Sequence, residues 1–114
     1  MDKINVLLNK YIEAAIQHGK ATEEGDYKSA NKAFKVLKKV YDELKANQDF
    51  GVQKLSNLLN HEEEYVRLWA SSHTLQVDTE KAKKTLIELT KKTGFLAFNA
   101  KMTLEEWEKG NLKF

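Results

Sequence analysis

Apolar residues recur every three or four positions along most of this chain, which contains no proline. That spacing places apolar side chains on one face of an α-helix, whereas a half-buried strand would show strict alternation. The segment with the highest β propensity, residues 65–69, does not alternate. The spacing therefore predicts an all-α protein, and the absence of proline agrees with uninterrupted helices.

Glycine and aspartate residues that suit helix ends divide the chain into six predicted helices. Gly25 and Asp26 separate the first two, Asp49 can cap the third, and Asp78 opens the fifth. The predicted helices cover about 4–23, 27–46, 49–60, 62–75, 78–92 and 95–108. Short turns between amphipathic helices favour antiparallel pairs, so we expect one domain, 1–114, of three stacked αα-hairpins at about 3–46, 49–75 and 78–109.

The spacing also predicts which side chains are buried. Leu59 and Val66 should face a common interior at the corner of the second hairpin. The second helix should bury Tyr27, Ala30, Phe34, Leu37, Tyr41 and Leu44. On its other side we expect Lys28, Lys32, Lys35 and Lys39, which we call the lysine row. The sixth helix should bury Phe95, Phe98, Met102, Leu104 and Trp107.

Composition restricts the class of protein. The chain has 41% hydrophobic and 32% charged residues, which is typical of a globular protein and not of a disordered one. Basic and acidic residues number 19 and 17, too balanced to indicate a nucleic-acid or membrane-surface protein. No cysteine is available for disulfides, and no apolar run reaches the length of a signal peptide or a membrane span. We expect a soluble, cytoplasmic protein without a membrane partner.

Residues 58–70 resemble a HEAT repeat, in which paired leucines end one helix and a Val-Arg pair opens the next. Leu58, Leu59, Val66, Arg67 and Ala70 carry the resemblance. His61-Glu62 stands where Asp-Pro is usual in that repeat, and Ser71 where a second alanine is usual. The resemblance implies a helical superhelix in which Arg67 pairs with an acid, such as Asp78 or a glutamate of its own repeat.

The whole chain is also similar to a small bacterial family without an established activity. The features that carry this resemblance are Tyr11, His18-Gly19, Gly25-Asp26-Tyr27, Asn31 and residues 66–70. It implies a fold and no specific function.

No motif assembles a catalytic, cofactor or metal site. Gly-rich phosphate loops, Gly-x-Ser-x-Gly and His-Glu-x-x-His are all absent from the sequence. His61 and Glu64 supply only two metal ligands, and Ser71, Ser72 and His73 point in different directions around a helix. His18 can transfer protons near neutral pH, or it is a half-buried histidine hydrogen-bonded near Asn31 or Tyr27.

These observations favour a non-enzymatic protein that binds a protein partner on a helical surface. The residues predicted to bind that partner are Arg67, Trp69, His73 and Trp107, because aromatic residues and arginine dominate interface energetics. Two alternatives stay open, which are nucleic-acid binding through the lysine row and toxin neutralisation by an immunity-type protein. The sequence gives neither the identity of the partner nor the oligomeric state.

Overall fold

A computed structural model describes residues 3–46 and 51–112. Within these ranges the chain forms five α-helices, which are α1 (Lys3–Glu24), α2 (Tyr27–Ala46), α3 (Glu64–Thr74), α4 (Thr79–Thr90) and α5 (Gly94–Glu108). A 3₁₀ helix, Val52–Leu58, lies between α2 and α3. No strand occurs in the described residues, so the predicted all-α fold of six helices is confirmed. The predicted cap Asp49 lies outside the described residues.

The chain divides into two compact units, 1–54 and 55–114. In the first unit, α1 packs against α2 as a hairpin. Gly25 ends α1 with φ of 73°, a left-handed conformation that favours glycine. Asp26 then caps α2, since its carboxylate accepts hydrogen bonds from the Ser29 N–H (3.1 Å) and hydroxyl (2.7 Å). The predicted turn and cap are both confirmed.

The buried face of α2 differs from the predicted one. Tyr27 is 75% exposed and Phe34 45% exposed, so the prediction that they belong to the core is wrong. The helix instead buries Ala30, Ala33, Leu37, Val40, Tyr41 and Leu44. Ala33 and Val40 thus take the place of Tyr27 and Phe34 on the buried face, and the small side chains of Ala30 and Ala33 allow a neighbouring helix to approach closely.

The third helix is a 3₁₀ helix rather than an α-helix. Val52, Leu55 and Leu58 are spaced by three residues and therefore align along a helix with three residues per turn. Leu55 and Leu58 are buried, whereas Val52 is half-buried. The turn continues through hydrogen bonds of the same short type, from Leu59 N–H to Ser56 O and from His61 N–H to Leu58 O.

The second unit contains α3, α4 and α5, of which α3 packs against α4 and α4 against α5. Its core consists of Leu68, Leu75, Ala82, Leu86, Leu89, Leu96 and Ala100. Two ion pairs lie at its surface: Lys83 of α4 pairs with Glu108 of α5 at 3.2 Å, and Lys92, which follows α4, pairs with Glu64 of α3 at 3.3 Å. Leu59 and Val66 are both buried, as predicted. No helix in the described ranges combines the length and apolarity needed to cross a membrane.

Candidate functional site

Arg67 fixes the corner that precedes α3. Its Nη1 donates hydrogen bonds to the carbonyl oxygens of His61 (2.6 Å) and Glu62 (3.2 Å). The Nδ1 of His61 in turn accepts a hydrogen bond from the Glu63 N–H at 3.0 Å. This arrangement differs from the ion pair implied by the HEAT resemblance, because within residues 3–46 and 51–112 Arg67 bonds to backbone carbonyls and to no acid. The corner is thus held by side chains of its own residues.

Trp69 and His73 meet on one face of α3. Their ring centroids are 5.7 Å apart and the planes are tilted by 40°. The four-residue spacing accounts for the contact, since residues one turn apart are neighbours on a helix. His73 is buried and Trp69 is half-buried. A partner can therefore reach part of Trp69 and little of His73.

Three hydroxyl groups on α3 are buried and bonded within the helix. Ser71 and Ser72 both donate to Leu68 O, at 3.0 and 2.8 Å, and Thr74 donates to Ala70 O at 2.8 Å. These bonds satisfy the polar groups without a partner from another helix. The absence of a catalytic pair among Ser71, Ser72 and His73 stays a prediction.

Trp107 lies on α5, away from the Trp69–His73 pair along the chain. It is half-buried and packs with Tyr65 and Leu104 against the core of the second unit. Its large ring therefore contributes to packing. The four residues predicted to bind a partner do not form one exposed patch, and their role in binding stays a prediction.

The titratable groups of the first unit show the effect of burial. Burial lowers the pKa of the half-buried His18 below its usual value, which keeps the imidazole neutral near pH 7. Burial also raises the pKa of the Tyr11 phenol well above its usual value, with the Tyr41 phenol adding to the effect. No group of three metal-ligating side chains occurs in the described residues.

The outer face of α5 exposes apolar side chains that the sequence analysis assigned to the core. Phe98 is 63% exposed and Met102 is 40% exposed, so the prediction that they are buried is wrong. They lie one turn apart on the side of α5 opposite to the buried Leu96 and Ala100. We call Phe98 and Met102 the α5 outer face. The sequence signal for it was an apolar pattern covering both sides of one helix.

A second exposed surface lies on α2, where the predicted lysine row faces solvent. Beside it, a groove of about 410 Å³ runs between α1 and α2. Ala14 and Ala33 are buried at this groove, and Val36 is partly exposed there. Its remaining lining is polar or charged, namely Lys10, Glu13, Gln17, Ser29 and Lys32. Its polar and charged groups lie on exposed helix surfaces and do not surround an enclosed cavity.

Comparisons with known proteins agree on the fold and leave the activity open. No curated protein matches the chain. The crystal structure of the protein RPA1889 from Rhodopseudomonas palustris CGA009 is similar, with 26% sequence identity and a TM-score of 0.89. The similarity covers 98% of this chain and 93% of that one. Residues 5–108 match the family described as "Domain of unknown function (DUF2019)", and the chain therefore belongs to this family.

Proposed function

We propose that this chain is a non-enzymatic protein that binds a protein partner through the α5 outer face. The observation that carries the proposal is the exposure of Phe98 and Met102 beside each other on a helix whose opposite side packs in the core. Apolar side chains concentrate at the centre of protein interfaces, and Met and Phe are enriched there. One apolar side of α5 packs in the core of the second unit, and we assign the exposed side to contact with a partner.

The HEAT resemblance of residues 58–70 supports this proposal, because repeats of that type bind macromolecules on their helical surfaces. We further propose that the chain is related to HEAT-like proteins and that it acts in the bacterial cytoplasm. The sequence contains none of the common catalytic motifs, and the buried serine hydroxyls are used inside α3. Both observations support a binding protein over an enzyme.

The test is affinity purification from cells of the source organism with matched surface variants. The double variant Phe98→Ser/Met102→Ser should lose a partner that the unchanged protein retains. Ile87→Ser is the control, since Ile87 is a similarly exposed apolar residue on α4. Circular dichroism should show equal helix content for all three proteins. Retention of every partner by a folded double variant would contradict the proposal.

A further inference from the structure

Two charged side chains of opposite sign lie along one edge of the α5 outer face. Lys101 and Glu105 are one turn apart and exposed, and within the described residues neither takes part in an ion pair. Viewed down the helix axis, Met102 lies about 40° to one side of Phe98, whereas Glu105 and Lys101 lie about 20° and about 60° to the other. The four residues therefore share an arc of about 100°, narrow enough for one partner helix to contact all of them.

The order of these residues along α5 makes the surface complementary to itself. When a second α5 packs against the first in the opposite direction, a two-fold axis places the charged edge of one helix beside the same edge of the other. With that axis between residues 101 and 102, Lys101 lies about 4.5 Å along the helix from Glu105 of the second copy. Phe98 lies at the same spacing, about 4.5 Å, from Met102 of the second copy. Long lysine and glutamate side chains span that distance, so two ion pairs and two apolar contacts form together.

We propose that the α5 outer face binds the same face of a second copy of this chain, with the two α5 helices antiparallel. The inference rests on the proposed function, which assigns this face to a protein partner. Phe98 and Met102 of both copies form the apolar centre, where the flexible thioether of methionine packs against an aromatic ring. Lys101 and Glu105 form the charged edge and fix the register of the two helices.

The charge order selects the antiparallel direction and the contact area limits the affinity. In a parallel pair, Glu105 would lie level with Glu105 of the second copy near the centre of the contact, and the two carboxylates would repel each other. Helix α5 has 15 residues and is about 22 Å long. One helix face of this length buries less than the area of a standard interface, about 800 Å² per partner. The dimer is therefore weak and reversible, with a dissociation constant in the micromolar to millimolar range.

Sedimentation equilibrium of the purified chain over a range of protein concentrations tests the proposal. The unchanged protein should dimerise as its concentration rises, and Phe98→Ser/Met102→Ser should stay monomeric. Lys101→Glu and Glu105→Lys should each weaken dimerisation about tenfold, because symmetry turns two attractive pairs into two repulsive ones. The double exchange Lys101→Glu/Glu105→Lys should restore it, since both pairs form again with their charges reversed. Lys32→Glu, the same charge change at an exposed lysine of α2, is the matched control and should dimerise as the unchanged protein does.

Three results would overturn the inference. One is a monomer at every concentration, another is equal loss in Lys32→Glu and Lys101→Glu, and the third is a double exchange that dimerises no better than the single variants. Circular dichroism should show equal helix content for all variants, which excludes unfolding as the cause of a loss. A chain that stays monomeric, but whose Phe98→Ser/Met102→Ser variant loses a partner in affinity purification, would exclude the second copy and leave the proposed function standing. The two proposals therefore fail separately.

Discussion

Arg67 was selected from the sequence as a residue for partner binding, and its contacts give it a structural role. The two carbonyl oxygens it reaches lie before the first residue of α3, at a corner without regular helix hydrogen bonds. The guanidinium can bond to both because its Nη1 carries two N–H groups. Hydrogen bonds from charged groups contribute more stability than neutral ones. The arginine of the Val66-Arg67 pair therefore has a structural role within the chain.

Replacing Arg67 should destabilise the fold. Arg67→Ala should lower the free energy of unfolding by about 1.5–3 kcal/mol, because carbonyl groups at the corner lose a charged donor. The stability of Arg67→Lys should lie between those of the unchanged protein and Arg67→Ala, since lysine keeps a charged donor but lacks the rigid planar guanidinium that places Nη1 at both carbonyls. Urea unfolding monitored by circular dichroism measures both. An Arg67→Ala protein of unchanged stability that loses a partner would return Arg67 to the binding surface.

Gly51 is constrained by close approach to the backbone. A Cβ atom added there would overlap the carbonyl oxygen of Leu44. Gly51→Ala should therefore lower the free energy of unfolding by about 1–3 kcal/mol, even though the same change restricts the unfolded chain and stabilises many proteins. Gly25→Asn is the comparison, because Gly25 has open space around it and asparagine tolerates positive φ. A smaller loss of stability at position 51 than at position 25 would contradict this account.

At the scale of elements, the existence and limits of the helices could be predicted, but the rotation of two of them could not. Helix ends depend on local signals such as Gly25 and Asp26, which act within a few residues. The buried face of a helix depends on which neighbouring helix packs closest to it. Small side chains allow the closest packing. In α5, Leu96 and Ala100 are buried while Phe98 is exposed, although hydrophobicity alone ranks phenylalanine above alanine. The sequence pattern therefore selected Phe98 and Met102 for the core and missed Leu96.

A pair of substitutions in α5 tests this assignment of faces. Leu96→Ala should lower the free energy of unfolding by about 2–5 kcal/mol, because Leu96 packs in the core of the second unit. Phe98→Ala should change it by less than about 0.5 kcal/mol, since most of the ring is already in water. Thermal or urea unfolding of the two variants gives the comparison. Equal destabilisation would place Phe98 in a core.

At the scale of the whole molecule, the net charge is distributed unevenly between the two units. Residues 1–54 hold ten basic and eight acidic residues, and residues 55–114 hold nine of each. The entire net charge of +2 therefore belongs to the first unit, where α2 carries its lysine row. The α5 outer face lies in the electrically balanced second unit. The lysine row could be predicted from the sequence, whereas the α5 outer face required knowledge of the packing.

The stability of the protein should depend on pH through His18. Burial holds the pKa of His18 below the unfolded value of about 6.5, so the unfolded state binds the proton more tightly. Stability is then fully present above about pH 6.5, falls as the pH decreases through that value, and levels off below the folded pKa. His18→Gln removes this titration and leaves the carboxylates of the chain unchanged. Urea unfolding of the unchanged protein and of His18→Gln is measured from about pH 8 to about pH 5. Relative to His18→Gln, the free energy of unfolding of the unchanged protein should decrease as the pH falls. A difference that is constant with pH would show that His18 has the same pKa in both states.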